Sequence, residues 1–216
     1  MKPSSSIRSL VLVLLVCPTL LLGQELKPLP LPAPQTTGGM PLMQALANRH
    51  STREFSSQKL APQMLSNLLW AAFGINRPGE GKRTAPSAMN WQEIDIYVAT
   101  ADGLYVYDAK GNKLDPVVAE DTRGATGTQA FVKDAPVDLV YVADLAKTGR
   151  ASGSDRDMYV AADAAFIAQN VYLFCASEGL AVVVRGSVDR AAFAKAAKLR
   201  PDQKVVLAQT VGYPKK

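Results

Sequence analysis

Residues 94–107 have the sequence IDIYVATADGLYVY, and this stretch carries the clearest strand signal in a chain of 216 residues. Apolar and polar side chains alternate over residues 94–99, which is typical of a strand with one buried face. A second strand is predicted at residues 104–107. The Ala-Asp-Gly triplet between the two strands is typical of a tight turn, so the stretch predicts a hairpin near the middle of the chain.

Helices and further strands are predicted on both sides of this hairpin. Apolar residues recur at helical spacing over Leu42–Asn48, Pro62–Phe73 and residues 155–177, the last being the longest helix. The remaining predicted elements are a helix at 189–198, a short strand after a turn at 110–112, and strands at 137–142, 180–184 and 205–211. Residues 75–90 are predicted to be a loop. The mixture predicts an α+β fold with a central sheet.

The first 23 residues are typical of a secretory signal peptide. Lys2 and Arg8 give a basic start, an apolar run follows, and the small residue Gly23 precedes the expected cleavage site. Pro18 interrupts the apolar run early, whereas a spanning helix needs roughly 20 apolar residues. We therefore expect a secreted or periplasmic protein with no membrane span after cleavage.

Residues 24–40 are rich in proline and end close to a Thr-Thr-Gly-Gly sequence. This composition is typical of an extended linker. The sequence therefore predicts a linker at residues 24–40 that precedes one folded domain at residues 41–216.

Composition and charge exclude several classes of function. The chain has 24 Lys and Arg residues, 19 Asp and Glu residues and a formal net charge of +5. Residues 1–23 hold two basic and no acidic residues, so the remaining net charge is +3, which is too small to indicate nucleic-acid binding. With His50 as the one histidine and Cys175 as the one cysteine beyond the signal peptide, neither a Cys/His metal site nor an intrachain disulfide is expected. Cys175 is expected to be a buried thiol.

Common nucleotide-binding and hydrolase motifs are absent from the sequence, but four dispersed segments could bind an anion and a planar ring. The first is residues 49–53, Arg-His-Ser-Thr-Arg, directly after the first predicted helix. Arg49 and Arg53 could present guanidinium groups, and Ser51 a hydroxyl, to a phosphate. Alternatively, these basic residues complement the end of a helix, and His50 is a packed or surface histidine.

The other three segments also have two interpretations each. Residues 83–92 could bond the edge of a heterocycle through Ser, Asn and backbone groups, or could be an ordinary turn. At residues 176–180, Gly179 could let the backbone approach a flat ligand, or could only end the helix in a left-handed conformation. The Lys215-Lys216 pair could contact a phosphate, or could be a solvated tail.

Taken in order, these segments resemble the nitroreductase family of flavoenzymes. The resemblance runs from about residue 40 to the end of the chain, in the order that the family shows. It rests on Arg49-His50-Ser51-x-Arg53, residues 69–77, residues 83–90, the pattern from Asp163 to Asn170, Glu178-Gly179-Leu180 and Gly212-Tyr213-Pro214.

The resemblance implies an FMN-dependent oxidoreductase with a mixed or antiparallel sheet, usually an intertwined homodimer that binds flavin between its subunits. It implies that flavin N5 carries the chemistry, so no catalytic side chain and no metal are assigned. The implied phosphate and ribityl contacts are Arg49, His50, Ser51 and Arg53, joined by Lys215 or Lys216. The implied ring contacts are Pro86, Ser87, Ala88 and Asn90 on one side, with Glu178 and Gly179 on the other.

Three functions remain open on these residues. The first is reduction of a nitroaromatic compound, a quinone or a similar small electrophile, with NAD(P)H as donor. The second is an exported FMN-binding electron-relay protein, which differs from the first because NAD(P)H would not reduce its flavin. The third is a flavin-dependent oxidase or dehydrogenase that acts on a heterocycle or a modified peptide. A homodimer would explain Gln169, Asn170 and the apolar faces of the long helix, although a monomer core would explain the apolar face equally well.

Overall fold

The computed structural model describes residues 26–215, and the predicted signal peptide at residues 1–23 lies outside the described residues, as does Lys216. The helices are α1 (Leu42–Asn48), α2 (Pro62–Phe73), α3 (Gly153–Glu178) and α4 (Arg190–Ala196). The strands are β1 (Leu29–Pro30), β2 (Ile75–Arg77), β3 (Lys82–Arg83), β4 (Ile94–Thr100), β5 (Gly103–Asp108), β6 (Lys113–Val118), β7 (Val137–Asp144), β8 (Ala181–Arg185) and β9 (Gln203–Gly212). Each helix and strand expected within this range is present, and the predicted loop at residues 75–90 contains the short β2–β3 ribbon.

Within the described residues, seven strands form one sheet in the order β1-β6-β5-β4-β7-β9-β8. Every neighbouring pair is antiparallel, so the sheet is antiparallel rather than mixed. Strands β4 and β5 form the expected hairpin, in which Thr100 pairs with Gly103. The α+β fold predicted from the sequence is confirmed.

Helices cover both faces of this sheet, and the side chains of β4 show the alternation that results. Ile96 and Val98 belong to the apolar cluster formed with α2 and α3. Tyr97 belongs to the opposite cluster, where its ring packs edge-on against Phe193 of α4 with the ring centroids 5.9 Å apart. Successive residues of a strand point to opposite faces, so alternate side chains of β4 pack into the two apolar clusters on either side of the sheet.

Helix α3 lies against the sheet and has one buried and one exposed side. Its buried residues are Val160, Asp163, Ala164, Ile167, Ala168, Val171, Tyr172 and Cys175. Cys175 is fully buried as expected, and burial raises the pKa of its thiol. Among the described helices α3 is long and apolar enough to cross a membrane by length and composition. The packing of its buried side in the core of this fold explains part of that composition.

Part of the predicted linker belongs to the fold. Leu29 pairs with Leu114 of β6, and the buried residue Leu31 donates its backbone N–H to the Asn112 carbonyl at 3.0 Å. The Asn112 side-chain amide donates a hydrogen bond to the carbonyl of Pro32 at 2.8 Å. The extended conformation suits proline, which lacks an N–H but tolerates an edge strand. The composition indicated the conformation but not the strand against which the segment pairs, so the folded unit begins before residue 41.

Candidate functional site

Residues 49–53, here called the anion segment, leave α1 and cross beside the C-terminal half of α3. The Thr52 N–H donates to the Val182 carbonyl of β8 at 3.0 Å, which fixes the segment against the sheet. The Ser51 hydroxyl lies 2.7 Å from the Tyr172 hydroxyl of α3, and that hydroxyl also accepts the Val184 N–H at 2.9 Å. Tyr172 therefore ties the anion segment to both α3 and β8. No role for Tyr172 in the site was predicted from the sequence.

The two guanidinium groups of the anion segment have no carboxylate partner among residues 26–215. The Arg49 guanidinium lies over the Tyr172 ring, 5.3 Å from its centroid, and Arg53 is exposed. The exposed His50 side chain places Nδ1 2.7 Å from the Asn48 carbonyl. Two positive groups without a negative partner, beside an exposed serine hydroxyl, fit a phosphate.

The C-terminal end of β9 brings Lys215 to the anion segment. The Phe55–Pro214 bridge and the hydrogen bond from the Lys215 N–H to the Glu54 carbonyl, at 3.3 Å, join the two stretches. As a result Arg53 and Lys215 line one cavity of about 450 Å³. Lys215 is thus held beside Arg53 through its backbone. Lys216 lies outside the described residues, so its predicted contact stays a prediction.

Gly179 lies at the end of α3 and lines a neighbouring cavity of about 880 Å³ together with Lys215. Its backbone is left-handed, with φ 67° and ψ 28°, and its N–H donates to the Cys175 carbonyl. The cap interpretation is therefore correct for this glycine. The space beside it is open, because a Cβ atom at Gly179 would meet no atom within 4 Å. Glu178 is exposed next to it, so a flat ligand could still lie against the backbone of Glu178 and Gly179.

The predicted ring contacts lie on residues 86–92, here called the ring loop. Met89, Asn90 and Gln92 have positive φ angles of 50°, 57° and 48°. Such angles are uncommon for residues other than glycine, and they persist only where surrounding contacts hold them. The Ser87 hydroxyl is one such contact, because it accepts the Gln92 N–H at 2.8 Å. This hydroxyl therefore serves the loop itself, and Pro86 and Asn90 are the exposed members of the predicted set.

Two buried carboxyl groups lie beneath the ring loop. The Ala88 N–H donates to Asp163 Oδ2 at 2.8 Å, and the Ser87 hydroxyl donates to Glu93 Oε2 at 3.3 Å. Burial raises the pKa of Glu93 to about 7 and also raises the pKa of Asp163. Neither carboxyl was predicted from the sequence to belong to the site. An acidic residue on the buried side of α3 and another between a loop and a buried strand were the signals that could have found them.

A single chain does not bring all four segments together. The ring loop contacts α3 at Asp163, whereas the anion segment contacts it at Tyr172, and Gly179 ends the helix. A helix rises 1.5 Å per residue, so roughly 22 Å of α3 separate Asp163 from Glu178. The structure therefore joins the anion segment, Gly179 and Lys215, and leaves the ring loop of the same chain at a distance.

Comparisons with known proteins identify relatives of this chain. The model of the family described as "Nitroreductase family" matches residues 46–213. A protein of Methanocaldococcus jannaschii that is named as a nitroreductase is 33% identical over 156 residues, which are 68% of this chain and 78% of the relative.

Solved structures show the same relationship. A crystal structure from Ralstonia eutropha, described as a nitroreductase, is 44% identical with a TM-score of 0.85, and the match covers 90% of this chain and 93% of that one. Nitroreductase A from Vibrio parahaemolyticus shares the fold, with a TM-score of 0.62 at 20% identity over 81% of this chain and 68% of that one. The matched segment contains the anion segment, the ring loop and Gly179. The chain belongs to the nitroreductase family of flavin-dependent oxidoreductases.

Proposed function

We propose that this protein binds FMN and reduces a small electrophilic acceptor, a nitroaromatic compound or a quinone, with NADH or NADPH as the electron donor. The observation that carries the proposal is the pair of guanidinium groups in the anion segment. Arg49 and Arg53 flank the exposed Ser51 in the sequence, and neither forms an ion pair with a carboxylate of the described residues. Family membership supports the flavin, and the charge of these groups supports its phosphate.

The residues that would hold the phosphate and ribityl chain are Arg49, Ser51 and Arg53, with Lys215 as a further cation beside Arg53. A guanidinium can donate two parallel hydrogen bonds to a phosphate, whereas a lysine acts as a point charge. We expect His50 to contribute less to phosphate binding than these residues, because its Nδ1 already faces the Asn48 carbonyl. Glu178 and Gly179 would border the ring from the end of α3.

We propose that the ring loop of a second copy completes this site. The exposed side of α3 carries large apolar side chains, Met158, Tyr159 and Phe166, which are 57%, 43% and 47% exposed. On α1, Leu42 and Met43 are 62% and 75% exposed. An apolar surface of this kind on a soluble fold indicates an interface. Two α3 helices packed antiparallel about a point near residue 170 would bring the ring loop of each copy toward residue 178 of the other.

Bound FMN would supply the redox chemistry at its N5 position, so the chain would need to contribute orientation and electrostatics. Arg49 and Arg53 would fix the phosphate end, and the ring loop would fix the position of the ring through exposed Pro86 and Asn90. No side chain is proposed as a general acid or base. This agrees with a sequence that contains one histidine, which lies in the anion segment.

The experiment that tests the function is an absorbance spectrum of the protein with FMN, recorded before and after anaerobic addition of NADH or NADPH. We expect flavin absorption to remain with the protein after gel filtration and to be bleached by the nicotinamide. A bound flavin that stays oxidised would instead support the relay or oxidase functions. Loss of all flavin on gel filtration would refute the proposed function. Gel filtration of the same sample, with light scattering, tests for a homodimer of twice the chain mass.

We also propose that the protein is exported, because its first 23 residues have the features of a signal peptide. The test is expression of the whole chain in a bacterial host, followed by fractionation and N-terminal sequencing. An N-terminus near residue 24 in the periplasmic fraction is expected. An uncleaved chain in the cytosolic fraction would refute export.

A further inference from the structure

We propose that Glu93 and Asp163 share one proton in a buried carboxyl pair, and that this pair holds the ring loop in its strained conformation. The proposal rests on the proposed function only in one respect, namely that the loop borders the flavin ring. The pair itself is a property of the chain without any ligand. Its role is positioning, because neither carboxyl reaches the exposed surface of the loop.

The first observation is burial without a compensating cation. Glu93 is 0% and Asp163 is 2% exposed. Neither carboxyl forms an ion pair with a lysine or arginine of the described residues. The nearest carboxylates on adjoining elements have their own partners: Asp144 of β7 with Arg200 at 2.9 Å, and Asp95 of β4 with Lys147 at 2.7 Å. Two buried carboxylates without a cation cannot both remain ionised.

The second observation assigns the proton. Asp163 Oδ2 accepts the Ala88 N–H, and a backbone N–H donor favours the ionised form of a carboxyl. Glu93 Oε2 faces the Ser87 hydroxyl, whereas the buried Glu93 Oε1 has no hydrogen-bond donor among the described residues. A proton on Glu93 Oε1 would turn this unpartnered acceptor into a donor. Burial, and after it the charge of Asp163, raises the pKa of Glu93 to about 7. The backbone donor on Asp163 and the unpartnered Oε1 of Glu93 therefore place the proton on Glu93.

The third observation is that the carboxyl pair binds the start of the ring loop. In the part of the chain that the structure describes, the two carboxyl groups accept hydrogen bonds from the ring loop at Ser87 and Ala88, directly before the residues with positive φ. Ser87 in turn accepts the Gln92 N–H, so the strained turn is closed at both ends. Ionisation of Glu93 would place a second negative charge in the buried site beneath Ser87 and Ala88, and it would remove the Glu93 donor. The resulting repulsion would release the start of the loop.

Trp91 offers a reporter that does not depend on flavin. It lies in the ring loop, and its ring packs edge-on against Tyr159 at a centroid distance of 6.1 Å. The chain has two tryptophans, so a Trp70→Phe background leaves Trp91 as the single emitter. The experiment follows Trp91 fluorescence of the flavin-free protein from pH 5.5 to 9. The matched proteins add Glu93→Gln, Asp163→Asn or, as a control, Glu120→Gln, which changes an exposed glutamate away from the site.

We expect one reversible transition near neutral pH in the Trp70→Phe protein and in its Glu120→Gln control. Glu93→Gln should abolish the transition, because glutamine keeps a donor toward Asp163 at every pH. Asp163→Asn should move it to lower pH, because the neighbouring negative charge is gone. A transition that persists unchanged in Glu93→Gln, or no transition in the parent, would overturn the proposal. If Trp70→Phe lowers stability, the Trp91 signal can instead be obtained as the difference in emission between the wild type and a Trp91→Phe variant.

A second measurement detects the proton itself. The infrared carbonyl band of a protonated carboxyl, identified by its shift in D₂O, should be present at pH 6 in the wild type and weaker in Glu93→Gln. A spectrum that is unchanged by Glu93→Gln would refute the shared proton, whether or not the loop responds to pH.

Flavin binding separates this proposal from the proposed function. We expect the dissociation constant for FMN to rise several-fold between pH 6 and pH 8.5 in the wild type and to stay constant in Glu93→Gln. If FMN does not bind at all, the proposed function fails while the Trp91 titration still decides the carboxyl pair. If FMN binds equally at each pH in the wild type, the positioning role fails and the proposed function stands.

Discussion

Charge is compensated inside the chain in one region of this molecule and left uncompensated in another. The compensated region spans β7, β9 and β8, where the buried side chains of Arg185 and Asp138 form an ion pair of 2.9 Å. Arg185 also donates to the Thr126 carbonyl at 2.7 Å and to the Thr210 hydroxyl at 3.1 Å. Gly127 leaves room for the guanidinium, since a Cβ atom there would lie 1.8 Å from Arg185 Nη1.

The candidate flavin site shows the opposite arrangement. Among the described residues, Arg49 and Arg53 form no ion pair, although Glu54 and Asp134 also line the cavity of Arg53. Glu93 and Asp163 are carboxyls that form no ion pair with a cation of the described residues. The Arg185–Asp138 pair cancels its own charge, so it has little net charge with which to bind a ligand. A charge without a partner needs an external ion or a proton, so the second region is where we expect ligand and pH effects.

The largest expected effect is on stability in the compensated region. Arg185→Met would leave Asp138 buried without its partner, and the loss of one member of a buried pair typically costs about 3–5 kcal/mol. Urea unfolding at pH 7 measures this change. The double variant Asp138→Leu/Arg185→Met should recover much of the loss. A cost below about 1 kcal/mol for the single variant would show that the ion pair is not the structural element that we describe.

The next effect is the pH dependence of stability that Glu93 introduces. Its pKa is about 7 in the folded protein against 4.5 in the unfolded chain, so the folded state binds more protons between these values. The free energy of unfolding should therefore fall as the pH rises from 5 to 8, by on the order of 2–3 kcal/mol. Urea titrations across this range should give a flatter dependence for Glu93→Gln than for Glu120→Gln. Equal slopes would contradict the assignment.

A third effect separates binding from stability in the anion segment. Arg53→Ala should weaken FMN binding by about 1.5–3 kcal/mol, which is roughly 10- to 150-fold in affinity, because a charge-assisted hydrogen bond is lost. Its free energy of unfolding should change by less than about 0.5 kcal/mol, since the side chain is exposed. Arg150→Ala, at another exposed arginine, is the control for both measurements. Unchanged affinity in Arg53→Ala would remove Arg53 from the site.

The smallest effect is expected at the C-terminal lysine. Lys215 is exposed, so Lys215→Ala should weaken FMN binding by less than about 1 kcal/mol, or a few-fold. The effect should disappear at high salt, because exposed charges are screened. Lys204→Ala, at an exposed lysine of β9, provides the matched comparison. A larger loss for Lys215→Ala than for Arg53→Ala would reverse the roles that we give to the two cations.

Local patterns predicted much of the fold. The bounds of α1 and α2 and the β4–β5 hairpin follow from spacing and turn residues that lie within a few positions of one another. The order of strands and the pairing of Leu29 with Leu114 depend on contacts between distant residues, which spacing does not show. Composition likewise could not tell which side of α3 faces the core, because Ile167 and Phe166 are both apolar while only Ile167 is buried.

The candidate site divides in the same way between local and distant contacts. The anion segment is contiguous, so its residues could be found together from the sequence. For the two carboxyls the sequence offers a signal for each residue but not for their pairing, because the Ala88 N–H reaches Asp163 across 75 positions of the chain. The separation of the ring loop from Gly179 follows from the length of α3. It could not be predicted from the sequence, because the contact of the ring loop with Asp163 is visible only in the structure.

The contact between Ser51 and Tyr172 has a consequence for the direction in which hydrogen-bond donors point. The buried Tyr172 hydroxyl has one proton and accepts the Val184 N–H, so satisfying that proton requires donation to Ser51. The proton of Ser51 is then left to rotate toward solvent. The backbone N–H of Val184 in β8 therefore sets the direction of both hydrogen bonds. It leaves the Ser51 hydroxyl as a donor that faces solvent and can bind an anionic oxygen.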